Sequence, residues 1–335
     1  MLDALELFNM LPSLLAKSGA FLVTGSILAE FIKYKRTLLK TPTSKIRPHK
    51  LLNKFIEDKG LINGDTRANI CSIKEFTWGY RATLDIASVV DYRDVERELG
   101  YIKTMFRATE VISNYKEGKA IIDICYPMQE LEYKEISLAP TELLLGYNNK
   151  GEKIIVNMLK TPHLAVQGLS NNGKSVCIEM ALNNIKDKAD IILLNVFAND
   201  FRSITGARRV NGNENILKYL KSIIEEPYKR DRPLYLVIDE LNVLSKDKEI
   251  NKAIQDVLSQ ARHFNVYLIA IGQILLKENC SYKQLFNARV TFRTVDKSTM
   301  GAFLGCTVED TELKQQEFIC YSEDLQRGKT YNYIF

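Results

Sequence analysis

Gly168, Leu169, Ser170, Asn171, Asn172, Gly173, Lys174 and Ser175 follow an apolar run and read Gly-x-x-x-x-Gly-Lys-Ser. That spacing, between an expected strand and an expected helix over residues 176–184, is a P-loop. Phosphates need several backbone N–H donors converging at a helix N-terminus, so bulky side chains are excluded where the loop approaches them. In this pattern Lys174 binds the β- and γ-phosphate oxygens as a point charge. Ser175 offers its hydroxyl to Mg²⁺, which makes ATP and Mg²⁺ the expected ligands. Asn171 and Asn172 suit the loop tip because asparagine tolerates left-handed backbone angles.

Sixty-five residues after Lys174, the apolar run Leu234-Tyr-Leu-Val-Ile ends in Asp239 and Glu240. Beside a P-loop, such a strand puts its first carboxylate at the metal shell and its second where a water can be polarised. Asp239 is therefore the expected metal ligand, and Glu240 the general base. A third apolar run, residues 266–271, leads to Gln273, whose amide is placed to sense the γ-phosphate or orient water.

Positioning these groups requires buried parallel strands. Residues 190–197, 234–238 and 266–271 are near-continuous apolar runs, as expected for strands covered on both faces. Ile250, Ala253, Ile254, Val257, Leu258 and Ala261 mark one face of a helix between the last two. Ahead of the P-loop, residues 80–86 read as a strand. Asp91 or Asp94 can cap a helix carrying Val95, Leu99, Ile102 and Phe106. Hairpins are expected over residues 110–126 and 146–156. The fold class is α/β: a P-loop domain with a mainly parallel sheet covered by helices, preceded by a smaller α/β domain and a helical N-terminal segment. The boundaries fall at 1–60, 61–150 and 151–335.

The 335 residues include 46% apolar and 26% charged side chains, which excludes a disordered or low-complexity chain. A formal charge of +5 is too small to prove a polyanionic partner. The surplus is local, since residues 31–56 carry eight basic side chains and no acidic one. They read as a linker behind residues 1–32, an amphipathic or partly buried helical segment. Its uninterrupted apolar stretch, residues 19–29, falls well short of the roughly 20 residues a spanning helix needs, so membrane association is not favoured. The six cysteines lie far apart without a CxxC pair, which suggests neither a zinc site nor a disulfide framework and fits a cytoplasmic setting. His49, His163 and His263 are too scattered to nominate a triad.

These residues resemble the FtsK/SpoIIIE-type DNA translocases, ring-forming motors of the RecA-like ATPase class. The resemblance runs through Leu145-Gly146, Lys150-Gly-Glu-Lys, Thr161-Pro-His-Leu-Ala-Val-Gln-Gly, Gly-Lys-Ser-Val-Cys177, Val237-Ile-Asp-Glu240, Gln260-Ala-Arg-His263 and Gln273, over about residues 76–333. Asn171 stands where glycine is usual, and Ile274-Leu275 replace the usual Arg-Pro after Gln273. No winged-helix-sized segment follows the motor, so sequence-specific orientation on DNA is not expected. The short form looks like the translocases or coupling proteins of plasmids and other mobile elements. The resemblance implies double-stranded DNA as partner, a homo-hexameric ring, and a relaxase or other mobile-element protein as a further partner. It also leaves open a nucleotide-gated coupling adaptor that does not translocate. In a ring, Arg202, Arg208 and Arg209, expected in a polar loop, would track phosphates without reading bases. Arg262, Arg289 or Arg293 would reach a neighbour's γ-phosphate.

Overall fold

The computed structural model describes residues 47–127, 131–197, 199–276, 280–308 and 312–332. The expected N-terminal helical segment and the basic run up to residue 46 lie outside the described residues. Among the described residues no helix is long and apolar enough to cross a membrane. The chain forms two compact units. The described part of the smaller comprises residues 47–73, 82–107 and 113–122; the larger comprises 74–81, 108–112 and 123–335.

The end of the basic run, expected as linker, is helix α1 (Pro48–Asp58), begun by a proline in its first turn and burying Leu52, Phe55 and Ile56. A two-stranded ribbon follows, β1 (Ile62–Asn63) with β2 (Thr66–Arg67). Then come β3 (Asn69–Phe76), β4 (Gly79–Asp85), α2 (Tyr92–Arg97), α3 (Leu99–Phe106), β5 (Glu110–Lys116) and β6 (Lys119–Cys125). The four longer strands form a sheet in the order β3-β4-β6-β5. Asp91 is the helix cap, accepting the Arg93 N–H at 2.8 Å. The single helix expected over Val95 to Phe106 is two, because Glu98 leaves helical geometry at φ −100°, ψ 6°. Helix α1 packs on α3, where the Tyr101 hydroxyl donates to Asp58 at 2.5 Å.

The larger unit continues with β7 (Glu142–Tyr147), β8 (Lys153–Asn157), β9 (Leu164–Gln167), α4 (Lys174–Asn183), β10 (Asp190–Leu194) and β11 (Arg208–Val210). After α5 (Asn213–Glu225) come β12 (Leu234–Ile238), α6 (Leu241–Leu244), α7 (Lys248–Gln260) and β13 (Val266–Gly272). The last elements are β14 (Ala288–Thr291), α8 (Lys297–Leu304), β15 (Glu317–Tyr321) and β16 (Leu325–Lys329). One ten-stranded sheet takes the order β11-β10-β12-β13-β9-β14-β15-β16-β7-β8. From β11 to β14 the strands are parallel, and from β14 to β8 each neighbour is antiparallel. The hairpin expected over residues 146–156 is β7–β8 and belongs to this sheet, so a division at residue 150 falls inside the hairpin.

Strand β12 shows why the parallel strands read as unbroken apolar runs. Tyr235 and Val237 enter the core under α4, whereas Leu234, Leu236 and Ile238 enter the core under α5, α7 and α8. Both faces are buried, at about 1.5–3 kcal/mol per large apolar side chain. Strand β10 stops at Leu194 rather than residue 197, because Asn195 adopts φ 57° and turns the chain out of the ladder.

Candidate functional site

Strand β9, buried throughout, delivers the chain to Gly168, and α4 begins at Lys174. Gly168 has φ 145°, and a Cβ there would lie 2.7 Å from the Cβ of Phe292, so no other residue fits that close approach. Asn171 takes φ 60°, as its residue type allows. The loop is braced from several directions. Gly168 N–H donates to the Gln273 carbonyl (3.2 Å), and Leu169 N–H to the Arg293 carbonyl (2.8 Å). Gln315 Nε2 donates to Asn171 O at 3.1 Å, and Gln316 N–H to Asn172 O at 3.1 Å. Asn172 folds its own amide back onto the Ser170 carbonyl at 2.9 Å. Donors thus occupy the loop's carbonyls, and the first turn of α4 supplies the N–H groups and positive dipole end that favour an anion.

Lys174 Nζ donates to Leu169 O at 2.9 Å, within the loop it serves. Burial pushes the Lys174 pKa down, and the charges of Asp239 and Glu240 pull it back up. The P-loop lysine therefore lies within electrostatic reach of both carboxylates after β12. Asp239 is buried, and its pKa rises to about 6, chiefly by burial and then by Asp200 nearby. The Glu240 N–H, 3.1 Å from Asp239 Oδ1, and Lys174 oppose that rise. Such a carboxylate is short of positive charge. With the half-buried Ser175 hydroxyl in the first turn of α4, it offers oxygen donors of the kind that Mg²⁺ would take if phosphates and waters completed its shell. Glu240 stands at φ 57°, ψ 49°, a left-handed conformation rare for a non-glycine residue and typical of sites where geometry serves function.

Gln273 follows β13 with its side chain exposed, and its main chain touches the P-loop through Gly168. Three amides that the sequence reasoning missed lace the neighbouring strand ends. Gln167, wholly buried, donates to Thr291 Oγ1 (3.3 Å) and accepts the Leu275 N–H (3.1 Å). Asn195 donates to the Asp239 carbonyl at 3.3 Å. Asn242 binds the main chain of residues 273 and 274. A polar amide directly after Leu164-Ala-Val was a visible signal for Gln167. Gln315 and Gln316 gave none, lying 144 positions or so from the loop they brace.

The arginines separate by what they bind. Arg208 and Arg209 lie on edge strand β11, not in a loop. Arg209 is committed to the carbonyls of Phe197 (2.9 Å) and Asp200 (2.6 Å) as a brace. Arg208 lies over the Tyr219 ring at 5.4 Å, and exposed Arg202 donates to Asn199. Arg289 caps the end of α8 through the Phe303 and Leu304 carbonyls. Arg262 and Arg293 are exposed, the latter next to the P-loop through its carbonyl.

No family model matches the chain. Over an alignment of 135 residues, which covers 37% of this chain, the sequence is 28% identical to the DNA translocase SpoIIIE of Bacillus subtilis (strain 168), and the match spans 17% of that protein's length. The pCW3 conjugation coupling protein TcpA, solved in its monomer form with ATPγS, overlaps 83% of this chain and 92% of its own at TM-score 0.56 and 14% identity. The cytoplasmic domain of the Thermomonospora curvata type VII secretion ATPase EccC overlaps 64% of this chain and 30% of its own at TM-score 0.52 and 14% identity. At such identities the two structures speak for the fold, which is that of the P-loop ATPases.

Proposed function

We propose that this chain, whose fold is that of the P-loop ATPases and which is similar over part of its length to the DNA translocase SpoIIIE, is an ATP-driven translocase of double-stranded DNA of FtsK/SpoIIIE type. It works in the cytoplasm as a homo-hexameric ring, in transfer or segregation of a plasmid or other mobile element. The observation that supports the reading is that Lys174, after the loop that follows β9, lies within electrostatic reach of Asp239 and Glu240, which follow β12, a parallel strand separated from β9 only by β13. The P-loop amides and Lys174 bind the β- and γ-phosphates. Ser175 and Asp239 would hold Mg²⁺, which neutralises charge on the phosphate oxygens. Glu240 takes the proton of the attacking water, and Gln273 reports the γ-phosphate's presence to the strand end. Arg202 and Arg208 contact DNA phosphates, and Arg262 or Arg293 reaches the neighbouring subunit's nucleotide.

The likeness of fold to a conjugation coupling protein supports a second reading, a nucleotide-gated adaptor that binds DNA or a relaxase complex without translocating. One measurement series separates the two. ATP turnover with matched duplex, single-stranded and no DNA should rise strongly with long duplex. Displacement of a third strand from a triplex should require hydrolysable ATP. Turnover indifferent to every nucleic acid, with ATP binding intact, sinks the translocase; stimulation without displacement selects the adaptor.

A further inference from the structure

Asn242 sits two residues beyond Glu240, in the one-turn helix α6, half-buried. Both ends of its amide are engaged by a separate strand end. Oδ1 accepts the Gln273 N–H at 3.1 Å, and Nδ2 donates to the Ile274 carbonyl at 2.6 Å. The amide lies so close over Gly272 that a Cβ on that residue would stand 2.4 Å from Asn242 Oδ1. Gln273 in turn offers its carbonyl to Gly168 N–H at 3.2 Å. On the other side, Gln167 Oε1 accepts the Leu275 N–H at 3.1 Å. Residues 273–275 are thus gripped by one amide from the β12 side and one from β9.

We infer that Asn242 is a positioning residue for hydrolysis, fixing residue 273 in register with Glu240 across the end of β13. This inference rests on the ATPase reading above. An asparagine side chain presents a donor and an acceptor in one rigid plane, which matches the N–H and C=O of adjacent residues on an extended chain. Without it, the segment after Gly272 keeps its hold through Gln167 but loses its fixed distance from Glu240. A reacting geometry tolerates little displacement, and about 1 Å of misplacement can cost on the order of a hundredfold in rate. The P-loop keeps its braces from Arg293, Gln315 and Gln316, none of which passes through Asn242, so nucleotide binding changes far less than turnover even though Gly168 N–H bonds to residue 273.

The test is steady-state ATP hydrolysis by the full chain, with long duplex DNA, alongside ATPγS affinity and thermal melting. Asn242→Ala should lower kcat about tenfold while KM for ATP and the affinity for ATPγS stay unchanged. Gln273→Ala should lower kcat similarly, and the double variant should be no worse than the weaker single one, since Asn242 acts through residue 273. Gly272→Ala should reproduce the kcat loss and add little on top of Asn242→Ala. Asn242→Asp, of equal size and still able to accept from Gln273, should fall between wild type and Asn242→Ala and serves where the alanine variant melts too low to assay. Unchanged kcat, a parallel loss of ATPγS affinity, or multiplicative losses with Gln273→Ala overturns the inference. Absence of hydrolysis in the wild type, or activity surviving Lys174→Ala, overturns the ATPase reading and takes this inference with it. Those outcomes are distinct from a wild type that turns over beside an Asn242→Ala that turns over equally well.

Discussion

In the parallel half of the large sheet, Gly168, Asp239 and Gln273 each follow the C-terminal end of a strand, and all those ends lie on one side because the strands run one way. In the antiparallel half, β15-β16-β7-β8, strand ends alternate, and no comparable row of loops can collect at one edge. That half supplies bracing instead. Gln315 and Gln316, just ahead of β15, hold the P-loop tip. Thr330, just after β16, lies against Gly173, where a Cβ would stand 3.4 Å from its Cγ2. The parallel half carries the candidate site with part of its bracing, and the antiparallel half adds the braces at the loop tip, so the two contributions are separable by substitution.

The sharpest separation comes from Lys174→Ala. Its side chain makes a hydrogen bond to Leu169 O and its proposed partner is phosphate, so ATP turnover should drop by at least about a hundredfold while the melting temperature barely moves. An equal loss of stability would erase the distinction between the halves. Gly146→Ala in β7 should do the reverse. Its Cβ would meet the Lys329 carbonyl oxygen at 2.1 Å, breaking the β7–β16 pairing at a cost of about 3 kcal/mol. Denaturant unfolding should record that loss, while kcat per folded molecule remains close to wild type.

A third prediction concerns pH. His163, at φ 65° just before β9, is buried and accepts the Leu268 N–H on Nδ1 at 3.0 Å. Burial, helped by the Arg262 charge, lowers its pKa from 6.5 to about 4. The unfolded chain therefore binds a proton near pH 6.5 that the folded chain refuses until about pH 4. This group's contribution to stability is complete above pH 6.5 and is lost as pH falls toward 4. Between pH 7 and 5 the wild type should lose about 2 kcal/mol more than His163→Asn, which keeps an acceptor and suits the left-handed backbone. Parallel pH dependences in urea unfolding would remove His163 from that role. The smallest effect belongs to the brace itself. Gln315→Ala removes one hydrogen bond to the P-loop tip, and KM for ATP should rise about fivefold, equivalent to about 1 kcal/mol, with kcat little changed.

The same contrast explains what could be read from the sequence. Strands β9, β10, β12 and β13 are buried on both faces and announce themselves as apolar runs, and the residues that follow them inherit their positions from that pattern. The positions of the P-loop, Asp239 and Glu240 were legible for this reason. Strand β16, with exposed Leu325 and Gln326 and a buried Gly328, carries no such pattern. Its place is set by partners, among them Gly146 approaching Lys329, that no local window contains. Arg208 and Arg209 were placed in a loop because a three-residue edge strand with two charges reads as one. The amides Asn195 and Asn242 were illegible individually, since an asparagine near a strand end is equally a turn former.

The bond from Gln315 to Asn171 spans 144 positions, and its consequence is one of timing. A chain emerging from the ribosome presents its P-loop, and later both carboxylates, well before the two glutamines that fasten the loop have been made. Contacts of such long range form late, after the entropy of closing a large loop has been overcome. The brace therefore forms only after β15 and β16 have been synthesised and have docked, and until then the loop tip of a growing chain is held less firmly than in the finished one.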